Sequence, residues 1–275
     1  MNTIADKHRT GRMQAKSQIL PAGETGQYTL WQIIGIWALV ALPMALLVWV
    51  VLPIIIPYVP LHPGITYWLL IIVGMIWEFV VALGIVYLEL GTLRWSAIRR
   101  RLWLQTPRDP KTDQPNRRLY WWVLPLILLD ILFIVISGYL DAPMAWLFPA
   151  LKEPDFMDIQ QLVSPQYVGQ WWLMGVALVS IIFNYFLGEA FLFHGVLLPK
   201  MRGVFGKYDW VANAVIFGLY HVHKPWALPS VILTNMLYSW PTSRFHSTWM
   251  AVIVHGVEGL PVIIMPLAVI MGWIG

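Results

Sequence analysis

The chain has 275 residues, of which 59% are hydrophobic and only 12% are charged, and its mean hydropathy is +0.66. Water could not solvate the surface of a soluble domain with so apolar a composition, so the sequence predicts an integral membrane protein. The chain contains no cysteine. Disulfides, thiol nucleophiles and thiolate metal sites are therefore excluded, and any catalysis must use carboxylates, imidazoles or hydroxyls.

The predicted elements begin with a polar tail, residues 1–29, which we expect to be cytoplasmic. It is followed by apolar runs of spanning length at 30–58, 65–88, 119–140 and 167–187, and by a more broken series from Tyr208 to the C-terminus. Helices are the reasonable spanning element, because lipid offers the backbone no hydrogen-bond partners. The sequence thus predicts an all-α, polytopic transmembrane bundle of about seven to eight membrane helices.

Two segments interrupt the apolar runs. Residues 92–116 begin with the sequence RWSAIRRRLWL, which fits either a short helix lying on the inner leaflet or an ordinary solvated basic loop. Residues 141–166 are acidic and contain four prolines, which predicts an external loop. No internal repeat is present, so we expect one membrane domain, residues 30–275, made of N-terminal helices (30–140), this loop, and a core at 167–275.

The distribution of positive charge predicts the orientation. The formal net charge is +4, and a cytoplasmic N-terminus places most lysines and arginines on the cytoplasmic side, as the positive-inside rule requires. This protein is therefore expected in the cell membrane as a multi-pass protein, with anionic lipid rather than nucleic acid as the partner of its basic residues. The residues concerned are Arg94, Arg99, Arg100, Arg101, Arg108, Lys111, Arg117, Arg118, Lys200, Arg202, Lys207 and Arg244.

Three ionisable residues lie inside the most apolar half of the chain: Glu189, His221 and His255. An ionisable side chain at membrane depth is costly, so it persists mainly where it faces a cavity, binds something or does chemistry. Counted along helices from the cytoplasmic flank at about 1.5 Å per residue, all three reach a similar depth. The sequence therefore predicts that they meet in one functional site.

The stretches EAFLFHGVLLPKM, FGLYH and HGVEG, in this order, resemble the three motifs of the CAAX protease and bacteriocin-processing family of intramembrane endopeptidases, which read EExxxR, FxxxH and HxxxN. The resemblance covers about residues 167–266. It implies that Glu189 and His221 activate the attacking water, and that His255 helps to hold the oxyanion. Phe217 matches the first residue of the second motif.

The chain departs from this pattern at three positions. Ala190 stands where the family has its second glutamate, His194 replaces the arginine, and Gly259 replaces the asparagine. We predict supporting roles for His194, Phe217 and Glu258, the last because it lies three residues after His255 on the same helical face. A carboxylate cannot donate a hydrogen bond to an oxyanion unless it is protonated, so Glu258 does not simply replace the asparagine.

The chemistry of such a site follows from its residue types. A carboxylate in an apolar pocket accepts a proton from water more readily than one in bulk solvent, and a second imidazole can stabilise the tetrahedral oxyanion. The leading hypothesis is hydrolysis of a peptide bond in a membrane-associated or prenylated substrate, with no cofactor. The alternatives are zinc bound by Glu189, His221 and His255, an inactive relative that binds a membrane peptide for immunity or scaffolding, and a transporter whose relay contains Glu78, Asp130 and Glu189.

Overall fold

The computed structural model describes residues 26–155 and 163–274. Most of the predicted N-terminal tail and part of the predicted external loop, residues 156–162, lie outside these ranges. Within them, all repetitive secondary structure is helical, and a single isolated bridge between Arg108 and Pro115 is the only β-type pairing. The predicted all-α fold is confirmed.

Nine helices in the described ranges build the domain. They are α1 (Leu30–Tyr58), α2 (Pro63–Leu90), α3 (Trp95–Arg101), α4 (Arg117–Val135), α5 (Ser137–Leu147), α6 (Trp172–Lys200), α7 (Asp209–Tyr220), α8 (Leu228–Phe245) and α9 (Thr248–Ile270).

Five of these helices, α1, α2, α4, α6 and α9, are long and apolar enough to cross a membrane. The protein is therefore a multi-pass membrane protein. The pair α7 and α8 packs as a hairpin, and α8 buries a row of small polar side chains inside the bundle. Of the seven to eight membrane helices predicted, the described part of the chain thus contains five that are long and apolar enough to span.

Two element boundaries differ from the prediction. The fourth span runs over Trp172–Lys200 rather than 167–187, and α5 continues to Leu147, so the first part of the predicted loop 141–166 is helical. Its proline, Pro143, lies inside α5 and does not end it. The helix also has a partner, because both carboxylate oxygens of Asp141 accept hydrogen bonds from Ser230 near the start of α8, at 2.9 and 2.7 Å.

The chain is anchored at one end of the bundle by a buried arginine. Arg101, at the end of α3, pairs with Glu89 at the end of α2 and donates to the hydroxyl of Tyr28, just before α1. It also donates to the carbonyl oxygens of Gly195 and Val196 in α6, at 3.2 and 3.1 Å. Since α3 carries Arg99, Arg100 and Arg101, we call this end of the bundle the basic end.

The helix α6 departs from α-helical geometry around Glu189. Its first part is α-helical, but Phe183–Leu187 and Ala190–Leu197 are π-helical, and Gly188 lies between them. A side chain at Gly188 would be obstructed, because its Cβ would lie 2.5 Å from the carbonyl oxygen of Phe183. Inserted π-helical turns are rare and occur frequently at functional sites. Glu189 therefore lies at the junction between the two π-helical stretches.

Candidate active site

The structure brings Glu189, His221 and His255 together from three different helices. Oε1 of Glu189 lies 3.7 Å from Nε2 of His221, and Oε2 of Glu189 lies 3.8 Å from Nε2 of His255. All three side chains are buried, with at most 6% of their surface exposed. The glutamate therefore lies between the two imidazoles.

The imidazole of His221 is oriented by the backbone of α7. This histidine directly follows the helix, and its Nδ1 lies 2.9 Å from the carbonyl oxygen of Phe217. An N–H at Nδ1 donating to that carbonyl leaves Nε2 as an acceptor facing Glu189, which is an acceptor too. The 3.7 Å separation is longer than a direct hydrogen bond. Two facing acceptors at this distance suit a bridging donor such as water.

On the other side of the site, His255 contacts a second carboxylate. Oε2 of Glu258 lies 3.4 Å from Nε2 of His255, one helical turn away along α9. The other oxygen of Glu258 accepts a hydrogen bond of 2.6 Å from the hydroxyl of Tyr238 on α8. The ring of Tyr238 stacks on His255, with ring centroids 4.7 Å apart and planes inclined by 22°. Glu258 and Tyr238 thus hold His255 in place.

This contact chain continues to α4, outside the three sequence motifs. The hydroxyl of Tyr238 also lies 2.6 Å from Oδ1 of Asp130, which is fully buried. A hydroxyl has one proton, so it cannot donate to both Asp130 and Glu258 at once. The three groups therefore form one hydrogen-bonded unit behind His255. The sequence singled out Asp130 as a buried charge but gave no sign of its partner on α8.

The two remaining supporting residues occupy different places. Phe217 packs beneath both histidines, with its ring centroid 4.6 Å from that of His221 and 6.1 Å from that of His255. His194 lies behind Phe217, with ring centroids 6.1 Å apart, and its Nε2 lies 3.5 Å from Nδ2 of Asn235. His194 is fully buried and none of its contacts among the described residues is with Glu189. It belongs to the packing behind the site.

A further buried carboxylate approaches the site from α2. Glu78 is fully buried, and neither of its carboxylate oxygens has a hydrogen-bond partner in the described part of the chain. Its Oε2 lies 3.2 Å from the place that a Cβ at Gly188 would take, immediately before Glu189. The prediction identified Glu78 as a membrane-depth charge, and the tertiary structure places it beside Glu189.

The site also contains a tyrosine that the motifs do not include. Tyr185, one turn before Glu189 in the π-helical part of α6, is 7% exposed. Its ring meets His255 edge-on, with centroids 4.8 Å apart and planes at 81°. The same ring covers Gly259, the position where the family motif has asparagine. Neither the three motifs nor the hydrophobic pattern of the sequence indicates this contact.

Glu189, His221 and His255 are also the candidate ligands of the zinc alternative. Zinc requires ligand atoms that converge on one point, each about 2 Å from the metal. Here the two histidines face different oxygens of Glu189, and residues 26–155 and 163–274 contain no group of three or more histidine, aspartate or glutamate side chains that could hold a metal ion.

An apolar groove of about 620 Å³ reaches the site from the side of the bundle. It runs between the end of α4 and α9, and Glu258 is its only charged lining residue in the described chain. The side chain of Glu258 is 26% exposed there, whereas His255 behind it is 4% exposed. The groove lies in the half of the bundle away from the basic end, since it is lined by Ile134, Val135 and Ala268 near the opposite ends of their helices.

Comparison with known families agrees with the sequence motifs. Residues 169–259 match the family described as Type II CAAX prenyl endopeptidase Rce1-like. The matched segment contains Glu189, His221, His255 and Glu258, while α1, α2, α4 and α5 lie outside it. No curated protein and no solved structure matches the chain.

Proposed function

Because residues 169–259 match the family model described as Type II CAAX prenyl endopeptidase Rce1-like, we propose that this membrane protein is an intramembrane endopeptidase that hydrolyses a peptide bond of a membrane-associated or lipid-modified substrate. The observation that carries the proposal is the convergence of Glu189, His221 and His255 at separations of 3.7 and 3.8 Å inside a helical membrane domain. A carboxylate flanked by two imidazoles is suited to activating water.

The proposed reaction uses the chain's own residues. A water molecule between Glu189 and His221 gives a proton to the Glu189 carboxylate while its oxygen attacks the carbonyl carbon of the scissile peptide bond. His221 accepts the second hydrogen bond of this water, because its Nδ1 is directed to the carbonyl of Phe217. The C–N bond then breaks, and the proton passes from Glu189 to the leaving nitrogen. Atoms and charge balance without a further reactant.

The burial of the site supports this assignment. Preorganised groups in a site that excludes bulk water stabilise developing charge more strongly than the same groups in water. His255 lies across Glu189 from His221, where it can stabilise the negative charge that forms on the carbonyl oxygen. The groove that ends at Glu258 is apolar, which suits the lipid-facing part of a membrane-associated substrate.

The experiment compares wild-type protein with Glu189→Gln in proteoliposomes. The amide keeps the shape of the side chain but cannot accept the proton, so we expect cleavage of farnesylated and transmembrane peptides to be lost by about 10²- to 10⁴-fold. Mass spectrometry of the products locates the cleaved bond. Glu153→Gln, at an exposed position between α5 and α6, is the matched control and should retain wild-type activity.

The same two proteins distinguish an endopeptidase from a protein that only binds peptides. If wild-type protein and Glu189→Gln bind the peptides equally and neither cleaves them, the binding function replaces the proposed one. Cleavage by wild-type protein that persists at an unchanged rate in Glu189→Gln would show that another residue is the base.

A further inference from the structure

The position where the resemblance expects asparagine is held by Gly259, and another side chain fills the space above it. A Cβ built on Gly259 would lie 3.0 and 3.1 Å from Cε2 and Cδ2 of the Tyr185 ring. Real Cβ atoms rarely have contacts this close, because two carbon atoms repel each other at less than their optimal separation of about 3.5–4.0 Å. The glycine therefore makes room for the tyrosine, and an asparagine at the same place would have to displace the ring.

Tyr185 is held at the site from two sides. Its ring stands edge-on to the imidazole of His255, with centroids 4.8 Å apart. Its backbone belongs to the π-helical turn that precedes Glu189. The ring of Tyr185 therefore contacts His255 and lies over Gly259.

The hydroxyl of Tyr185 is free to act as a donor. It makes no hydrogen bond with any residue in the described parts of the chain, whereas the hydroxyl of Tyr238 lies 2.6 Å from one oxygen each of Asp130 and Glu258. A buried tyrosine usually finds a partner for its O–H group. Here the hydroxyl has no hydrogen-bond partner among the described residues, and it belongs to a ring that contacts His255, the imidazole proposed to stabilise the oxyanion.

We propose that Tyr185 is a catalytic residue that donates a hydrogen bond to the oxyanion of the tetrahedral intermediate, in place of the asparagine that Gly259 replaces. The inference rests on the proposed function. When water adds to the carbonyl carbon, the electron pair of the C=O bond moves to the oxygen, and the hydroxyl of Tyr185 stabilises that charge without transferring its proton. When the C–N bond breaks, the C=O bond forms again and the hydrogen bond weakens.

The first test is Tyr185→Phe, which removes only the hydroxyl and keeps the ring on Gly259. Loss of one oxyanion donor lowers kcat by about 10²- to 10³-fold in other enzymes, and we expect a fall of this size with KM nearly unchanged. Tyr167→Phe is the matched control, because Tyr167 is also buried but packs in the separate cluster with Ile65 and Ile270. Its kcat should equal that of wild-type protein.

The second test exchanges the two donors and remains informative if Tyr185→Phe folds poorly. Tyr185→Ala removes both the hydroxyl and the ring, and Gly259→Asn in that background places an amide donor in the space that the ring has left. The double variant should recover kcat relative to Tyr185→Ala, whereas Gly259→Asn alone should lower it, because the asparagine then meets the ring.

The outcomes separate this inference from the proposed function. If wild-type protein cleaves peptides and Tyr185→Phe has the same kcat, Tyr185 is not the donor and the endopeptidase assignment stands. Suppose that the double variant has no higher kcat than Tyr185→Ala while both keep the wild-type melting temperature. The inference that Tyr185 takes the role of the asparagine is then wrong. If wild-type protein cleaves nothing, both proposals fail.

Discussion

Glu258 meets His255 along one turn of α9, with 3.4 Å between Oε2 of the glutamate and Nε2 of the histidine. The contact lies between the apolar groove and the buried site, because Glu258 lines the groove and His255 lies behind it. On its other oxygen, Glu258 is held by Tyr238, which in turn reaches Asp130 on α4. A helix outside the matched family segment thereby supports the orientation of a residue within it.

The first prediction concerns this support. Glu258→Gln keeps the size of the side chain but removes the negative charge beside His255, so the imidazole loses its electrostatic partner. We expect kcat to fall by roughly 10²-fold, the lower range for a misplaced acid–base group, with KM nearly unchanged. Steady-state kinetics in proteoliposomes measure both constants.

Tyr238→Phe provides a second variant for the same contact. It removes the hydrogen bond to Glu258 but leaves the ring on His255, so the loss in kcat should be in the same direction and smaller than for Glu258→Gln. Wild-type kcat in both variants would mean that His255 needs no support from Glu258.

A stability prediction follows from the arginine at the basic end. Arg101→Met keeps most of the side-chain volume but leaves Glu89 without its buried partner and leaves two α6 carbonyls without their donor. Breaking a buried ion pair by removing one partner costs about 3–5 kcal/mol. We therefore expect a clearly lower melting temperature in detergent, measured by tryptophan fluorescence.

The control for this prediction is Arg100→Met, the neighbouring exposed arginine. Exposed positions of this kind change the free energy of unfolding by about 0.5 kcal/mol or less, so its melting temperature should match that of wild-type protein. Equal melting temperatures for the two variants would show that Arg101 does not stabilise the basic end.

The orientation predicted from charge can be tested because the chain has no cysteine of its own. Single cysteines at Ser96 and Thr112, both exposed at the basic end, should react with a membrane-impermeant maleimide only after the cells are opened. A cysteine at Lys152, between α5 and α6, should react in intact cells. The opposite pattern would place the basic end outside the cell and contradict the positive-inside argument.

Metal dependence is the last prediction. Because residues 26–155 and 163–274 contain no group of three or more histidine, aspartate or glutamate side chains that could hold a metal ion, we expect activity to survive dialysis against a strong chelator, measured with the peptide that wild-type protein cleaves best. Zinc added after dialysis should not raise the rate. Loss of activity on chelation and its recovery with zinc would instead favour the alternative in which Glu189, His221 and His255 are zinc ligands, since metal sites release their ion to strong chelators.

Composition and spacing predicted much of this molecule. The apolar runs gave the all-α membrane fold, because a lipid environment leaves helices as the reasonable spanning element. The cost of ionisable groups at membrane depth singled out Glu189, His221 and His255, and their distances along helices placed them at one level. These are local properties of the chain, so they can be recognised without knowing how the helices pack.

The contacts between helices were decided by the tertiary structure. Nothing in the spacing of the sequence relates Asp130 to Tyr238, or Tyr185 to Gly259, because each pair joins helices that are far apart in the chain. The π-helical turns around Glu189 are also absent from any hydrophobic pattern. The sequence alone identified the ionisable side chains whose burial in a membrane is costly enough to suggest a function. Only the packing of the helices determined which neighbouring residues contact them and which donors lie beside them.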